Sequence, residues 1–152
     1  MNNIIKTLED KGLDAAIKTA KDHPRELRLF AVKCVREVQH LLKDKRSFDA
    51  LDVSERYAKG EANDKELKEA SQAAWLAWNH MGAAITDEQV RVRTAARAAA
   101  CAAWEVERSG WMAAEDSAWA SAFAVEREPD KPRKRQEEIF RDIFKDIYGG
   151  GE

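Results

Sequence analysis

Apolar side chains recur three and four positions apart through nearly the whole chain, and no stretch alternates convincingly with period two. Asn3 to Asp10 reads as a short helix stopped by Gly12, and Leu13 to Lys21 as a second. His23-Pro24 opens a third with proline at its first position, where the missing N–H costs nothing. Its apolar stripe is Leu27, Phe30, Ala31, Cys34, Val38, Leu41 and Leu42. A polar turn at 43–47 (KDKRS) leads to a helix from Phe48 to Lys59, stopped by Gly60. Asn63 with Glu66, and Thr86 with Gln89, are capping boxes that start two long helices, the second closing at Ser109-Gly110. Trp111 to about Arg127 forms another. After a turn at 128–134, Ile139, Phe140, Ile143, Phe144, Ile147 and Tyr148 fall in two adjacent columns opposite Arg141, Asp142, Lys145 and Asp146.

The pattern predicts an all-α chain: a compact bundle of about seven or eight helices, with sequential helices as antiparallel neighbours or as degenerate helical-hairpin repeats. One domain covers 1–152. Lysine-rich helices fill 1–62 and Ala/Trp/Arg-rich helices fill 63–128. An amphipathic helix in 129–148 docks on an alanine-rich core, and 149–152 is a frayed tail.

Composition changes this picture in three places. Seven of the nine residues from Ala95 to Ala103 are alanine, which buries little area but lets neighbours approach closely or insert large side chains, here tryptophans or Phe140 and Phe144. Between Ser71 and Glu128 there is no lysine, while arginine occurs five times. Arg93 and Arg97 share a helix face that continues roughly through Cys101, Trp104 and Arg108. Packing explains that stripe with the fewest assumptions; a recognition groove of arginine and tryptophan is the functional reading. A net charge of −2 disfavours general nucleic-acid binding, and two cysteines without CxxC spacing (Cys34 and Cys101) read as reduced thiols. With no apolar leader and no membrane-length run, the expectation is a cytoplasmic protein without a membrane partner.

Candidate chemistry is sparse. Glu37 and His40 form an ExxH, the spacing used in di-iron bundles, but the second ExxH is missing; a metal or enzyme site around Glu37, His40 and Asp44 is a minor alternative. No GxSxG, Walker loop or GxGxxG occurs. Glu105, Glu107, Glu115 and Asp116 offer paired acids, which on helices are usually solvated. The basic run KPRKR at 131–135, with Arg91–Arg97, is the basis of a nucleic-acid alternative. Nothing calls for a cofactor.

The segments LRLFAVKCVR, HLLKDKRS and SERYAKG in 27–60, with IFRDIF in 139–144, resemble a bacterial and phage family of small Ala-rich helical proteins. Its pattern covers Cys34, Arg36, His40, Asp44, Arg46, Ser47, Glu55, Arg56, Tyr57 and Gly60. Related sequences are assigned as immunity proteins of polymorphic toxin systems. The resemblance implies a helical fold and a protein-binding role. In structural terms His40, Asp44, Arg46, Ser47, Glu55 and Arg56 are expected to form a polar cluster tying two helices together. The combined expectation is a non-enzymatic inhibitor: a toxin immunity protein or an anti-CRISPR-like phage antagonist of a bacterial defence system. It would mask a protein target through Arg93, Arg97, Trp104, Arg46 and Arg56. Self-association into a homo-oligomer is a further possibility.

Overall fold

The computed structural model describes residues 2–105 and 110–147. Among them lie eight α-helices, with 77% helix and no strands. They are α1 (Asn3–Lys11), α2 (Leu13–Thr19), α3 (Pro24–Arg36), α4 (Lys45–Ala58), α5 (Asp64–Asn79), α6 (Asp87–Ala102), α7 (Gly110–Val125) and α8 (Asp130–Phe144), with a 3₁₀ turn at Gln39–Leu41. Most sequential helices pack on one another, and α3 is the hub, touching α4, α6, α7 and α8. Tyr148 and the tail at 149–152 lie outside the described residues, as do Glu107, Arg108 and Ser109.

The helix starts follow local chemistry. Asn63 Oδ1 accepts from Glu66 N at 2.9 Å, and Thr86 with Gln89 forms the reciprocal capping box. Gly12, at φ 93°, both ends α1 and starts α2, a sharp corner that an L side chain would strain. Two expected boundaries move. α3 stops at Arg36 instead of reaching Leu42, because the chain tightens into 3₁₀ bonds from Val38 N to Val35 O and from Leu41 N to Val38 O. The KDKRS segment is no turn but the start of α4: Asp44 Oδ1 accepts from Arg46 N at 2.9 Å, so Lys45, Arg46 and Ser47 are already helical. Likewise α8 begins at Asp130, so the basic run expected in a turn forms helix.

The alanines face one another. Ala95, Ala98, Ala99 and Ala102 of α6 and Ala114 and Ala118 of α7 are all buried. Ser117 Oγ donates to Ala98 O at 3.0 Å, a span that a two-atom side chain bridges only when the backbones lie close. Large side chains do sit among the alanines: Trp104, Phe140 and Phe144 are buried in one core cluster with Ala95, Ala98, Ala99 and Ala102, and Trp75 and Trp111 pack against alanine clusters from the margin. Trp75, Trp78, Trp111 and Trp119 are only part-buried, and four of the five tryptophans carry a cation on their rings. The large side chains that fill the core are Phe30, Phe140 and Phe144, all fully buried. Phe140 sits edge-on to Phe30 at 5.3 Å between centroids and stacks on Phe144 at 4.3 Å. α8 therefore docks chiefly through α3's phenylalanine, with α7's alanines beside it and α1 at its end. Asn2 closes that end: its Oδ1 caps α1 at Ile5 N, and its Nδ2 donates to Phe144 O at 2.8 Å.

Candidate functional site

The residues singled out in the sequence separate into distinct places. Arg93 lies with its guanidinium 4.5 Å over the Trp78 ring, and its Nε is sealed from solvent without a hydrogen-bond partner. Arg97, one turn on, is exposed. Trp104 is not on their face: it follows the end of α6, is 3% exposed, and lies 4.1 Å beneath the Arg28 guanidinium. It is a core residue, since α6 ends two residues before it and the turn redirects its ring inward.

The expected polar cluster resolves into separate pairs. Arg46 grips Asp44 through Nε to Oδ1 at 3.1 Å and Nη2 to Oδ2 at 2.9 Å, holding the Asp44 carboxyl below its usual range. Arg56 reaches Glu66 at 3.3 Å, and Glu55 pairs with Lys59 at 3.7 Å. Ser47 is buried with its Oγ unbonded, and His40 is exposed in the 3₁₀ turn, outside all these bonds. α4 and α5 are tied through Arg56–Glu66, through Tyr57 Oη donating to Asp64 Oδ1 at 2.8 Å, and at the other end by Arg46 Nη2, 3.5 Å from His80 Nδ1 at the end of α5. Exposed pairs of this kind contribute about 0–1 kcal/mol each.

The concave surface that Arg93 does border is the α5–α6 corner. A groove of about 310 Å³ is lined by Met81, the Gly82–Ala84 backbone, Thr86, Glu88, Gln89, Val92 and Arg93. Gly82, at φ 69°, makes the turn out of α5. Gln89 Oε1 accepts from both Ile85 N and Thr86 N, at 2.9 and 3.0 Å, and so fixes the loop against the start of α6. In the stretch of chain that contains this corner, Leu76 is 50%, Ile85 88% and Val90 49% exposed. Of the seven large hydrophobic residues exposed among the described ones, four (with Met81) fall between Leu76 and Val90. Periodicity could not reveal Ile85, because it sits in a loop.

The other candidates are engaged elsewhere. Arg133 of the basic run stacks 3.8 Å from Trp119, and its Nη2 bonds Asp14 Oδ1 at 2.6 Å; the Trp119 Nε1 also donates to Asp14. Arg135 bonds Glu37 at 2.7 Å and Glu138 at 3.0 Å. Two of the five residues of the run thus serve the fold. Arg133→Ala should cost about 1–2 kcal/mol in urea unfolding, from a lost charged hydrogen bond and stacking, whereas Lys134→Ala should be close to neutral. Equal effects would contradict the Arg133–Asp14–Trp119 arrangement. Glu37 and Asp44 each hold an arginine, and the described residues contain no group of three or more His, Cys, Asp or Glu suited to a metal. Glu115 has its carboxyl pushed up by burial and by Asp14 and Asp116, and Glu105 is part-buried. The Cys34 thiol is pushed up by complete burial, the opposite of an activated nucleophile.

No described helix is long and apolar enough to cross a membrane. No family model, curated protein or solved structure matches the chain. The residues themselves must therefore carry the functional reading. One of them escaped the sequence analysis: Arg28, inside LRLFA, is 4% exposed. The available signal was its own helical neighbours, since Ala31, Val32 and Val35, three, four and seven residues on, are all apolar.

Proposed function

We propose that this chain works by binding another protein, as a stoichiometric non-enzymatic inhibitor of the toxin-immunity or phage anti-defence kind. The observation that carries the reading is the α5–α6 corner, where Met81 and Arg93 line a groove and Leu76, Ile85 and Val90, in the same stretch of chain, are exposed. A folded monomer gains nothing by holding Ile85 almost fully in water, and exposed apolar side chains gathered at one corner mark interaction surfaces. Arg93, held by Trp78 and with an unsatisfied Nε, is an arginine–aromatic anchor at the groove wall. Arg91 and Arg97, both exposed on the same helix, supply charge for orienting an acidic target.

The neighbouring gene distinguishes the two versions: a toxin beside it supports immunity, and a phage early operon supports antagonism of host defence. The product of that gene, or a host lysate, would be offered to the tagged wild type and to an Ile85→Asp/Val90→Asp double variant. The wild type should form one defined complex of fixed stoichiometry in size exclusion with light scattering. The double variant should lose it by at least about tenfold in affinity, the effect of removing about 1.4 kcal/mol of contact, with helix content unchanged by circular dichroism. Retention of the complex by the double variant would move the partner surface elsewhere, and a self-associated wild type would replace the inhibitor reading with a homo-oligomer.

A further inference from the structure

On another face of the molecule, α3, α4 and the start of α7 border an open pocket of about 220 Å³ lined by Pro24, Arg25, Arg28, Tyr57, Ala58, Trp104 and Gly110. Its distinguishing feature is a buried cation. Arg28 is 4% exposed, with its guanidinium between the Trp104 ring at 4.1 Å and the Tyr57 ring at 5.0 Å. A guanidinium has five N–H donors, and among the described residues Arg28 makes one hydrogen bond, from Nη1 to Ser54 Oγ at 3.1 Å. That hydroxyl is itself committed, donating to Ala102 O at 2.7 Å.

No carboxylate among the described residues pairs with Arg28, and burial draws its pKa down to about 10, so it is still charged at neutral pH. Buried arginines are ordinarily paired, because leaving such a charge uncompensated is costly. Yet none of its nitrogens is completely sealed and unbonded, as Arg93 Nε is. Arg28 is itself among the residues that line the cavity.

The surroundings share that polarity. Arg25, one turn before Arg28, lines the same space. α3 starts there with no side chain capping it, and Gly110, the first residue of α7, forms another wall. The N-terminus of α3 and two arginines thus meet around one opening. Asp64 accepts from the Tyr57 hydroxyl at 2.8 Å. The remaining walls are apolar: the Pro24 ring, the Ala58 methyl and the Trp104 indole edge, against which Gly110 packs so closely that an added Cβ would stand 3.3 Å from Cζ2. The volume corresponds to roughly seven waters at ~30 Å³ each, which suits a small molecule with one charged end.

We propose that this cavity is a binding site for a small organic acid, its carboxylate on Arg28 and Arg25 and its apolar body against Pro24, Ala58 and Trp104. The site is separate from the α5–α6 corner, and neither depends on the other.

Benzoate, with benzamide as its neutral isostere, tests it on the intact chain by NMR, following the Arg28 Nε–H and Trp104 Nε1–H resonances and titrating to millimolar concentration. Benzoate should shift both resonances saturably and raise the melting temperature, while benzamide should do neither. Arg28→Met keeps the side chain's bulk and should weaken benzoate roughly ten- to a hundredfold, as expected for a lost charged hydrogen bond. Arg25→Ala, on an exposed side chain that leaves the fold intact, should weaken it severalfold. If Arg28→Met does not fold, the Arg25→Ala titration and the benzoate–benzamide comparison decide alone. Absence of saturable shifts with benzoate, equal response to benzamide, or unchanged affinity in Arg25→Ala with Arg28→Met would overturn the proposal.

Discussion

Phe140→Ala should be among the most damaging single truncations in the chain, lowering the unfolding free energy by about 3–5 kcal/mol. Phe140 is fully buried and makes two ring contacts, edge-on to Phe30 and stacked on Phe144. Its removal takes away apolar transfer energy and both aromatic contacts, and leaves a cavity between α3 and α8 that the rigid neighbouring rings cannot fill. Melting should fall on the order of 10 °C for a domain of this size. Urea unfolding with an unchanged slope would place the effect in the native state. Phe123→Ala provides the contrast, because Phe123 is 49% exposed and touches only the Trp119 ring among the aromatics. A loss below about 1 kcal/mol at Phe140 would mean that α8 does not dock as described.

The second large effect comes from adding atoms. Ala98→Leu puts three more carbons between α6 and α7 where the exposure is 0% and Ser117 Oγ already reaches the Ala98 carbonyl. The helices must separate or the side chain must leave its rotamer, at a cost of about 1–3 kcal/mol or more. Arg97→Leu, the adjacent position and exposed, should change stability by no more than about 0.5 kcal/mol. Both variants place leucine in one helix, and the propensity difference between alanine and arginine is only about a few tenths of a kcal/mol, so packing dominates the contrast. Similar melting temperatures for the two would refute the close alanine–alanine contact.

The helices were legible because their signals are local. Pro24, Asn63, the Thr86–Gln89 pair and Gly12 act within one turn of themselves, and each marks a boundary where the pattern of the chain puts it. The misplaced boundary at KDKRS has the same origin read incompletely: Asp44 is a cap, and a cap begins a helix, not a loop. What the pattern could not carry was facing. Arg93, Arg97 and Trp104 are nearly in line on an ideal helix, but the helix ends at Ala102 and sends the tryptophan into the core. Arg28 and Ile85 were missed for opposite reasons. The first is a charged residue enclosed by three other helices' worth of packing, and the second is an apolar residue in a loop; both depend on tertiary neighbours that no local window contains.

Asn2 and Phe144 lie 142 residues apart along the chain, yet one hydrogen bond joins them, and Phe30 waits for Phe140 in the same way. A ribosome adding roughly 5–20 residues per second delivers the N-terminal helices on the order of ten seconds before their partner. Throughout that interval Phe30 lacks Phe140, and the part of α3 that α8 covers is open to water. The fold is consequently completed from its last helix, and a nascent chain halted before α8 would present to chaperones the same surface that the finished protein conceals.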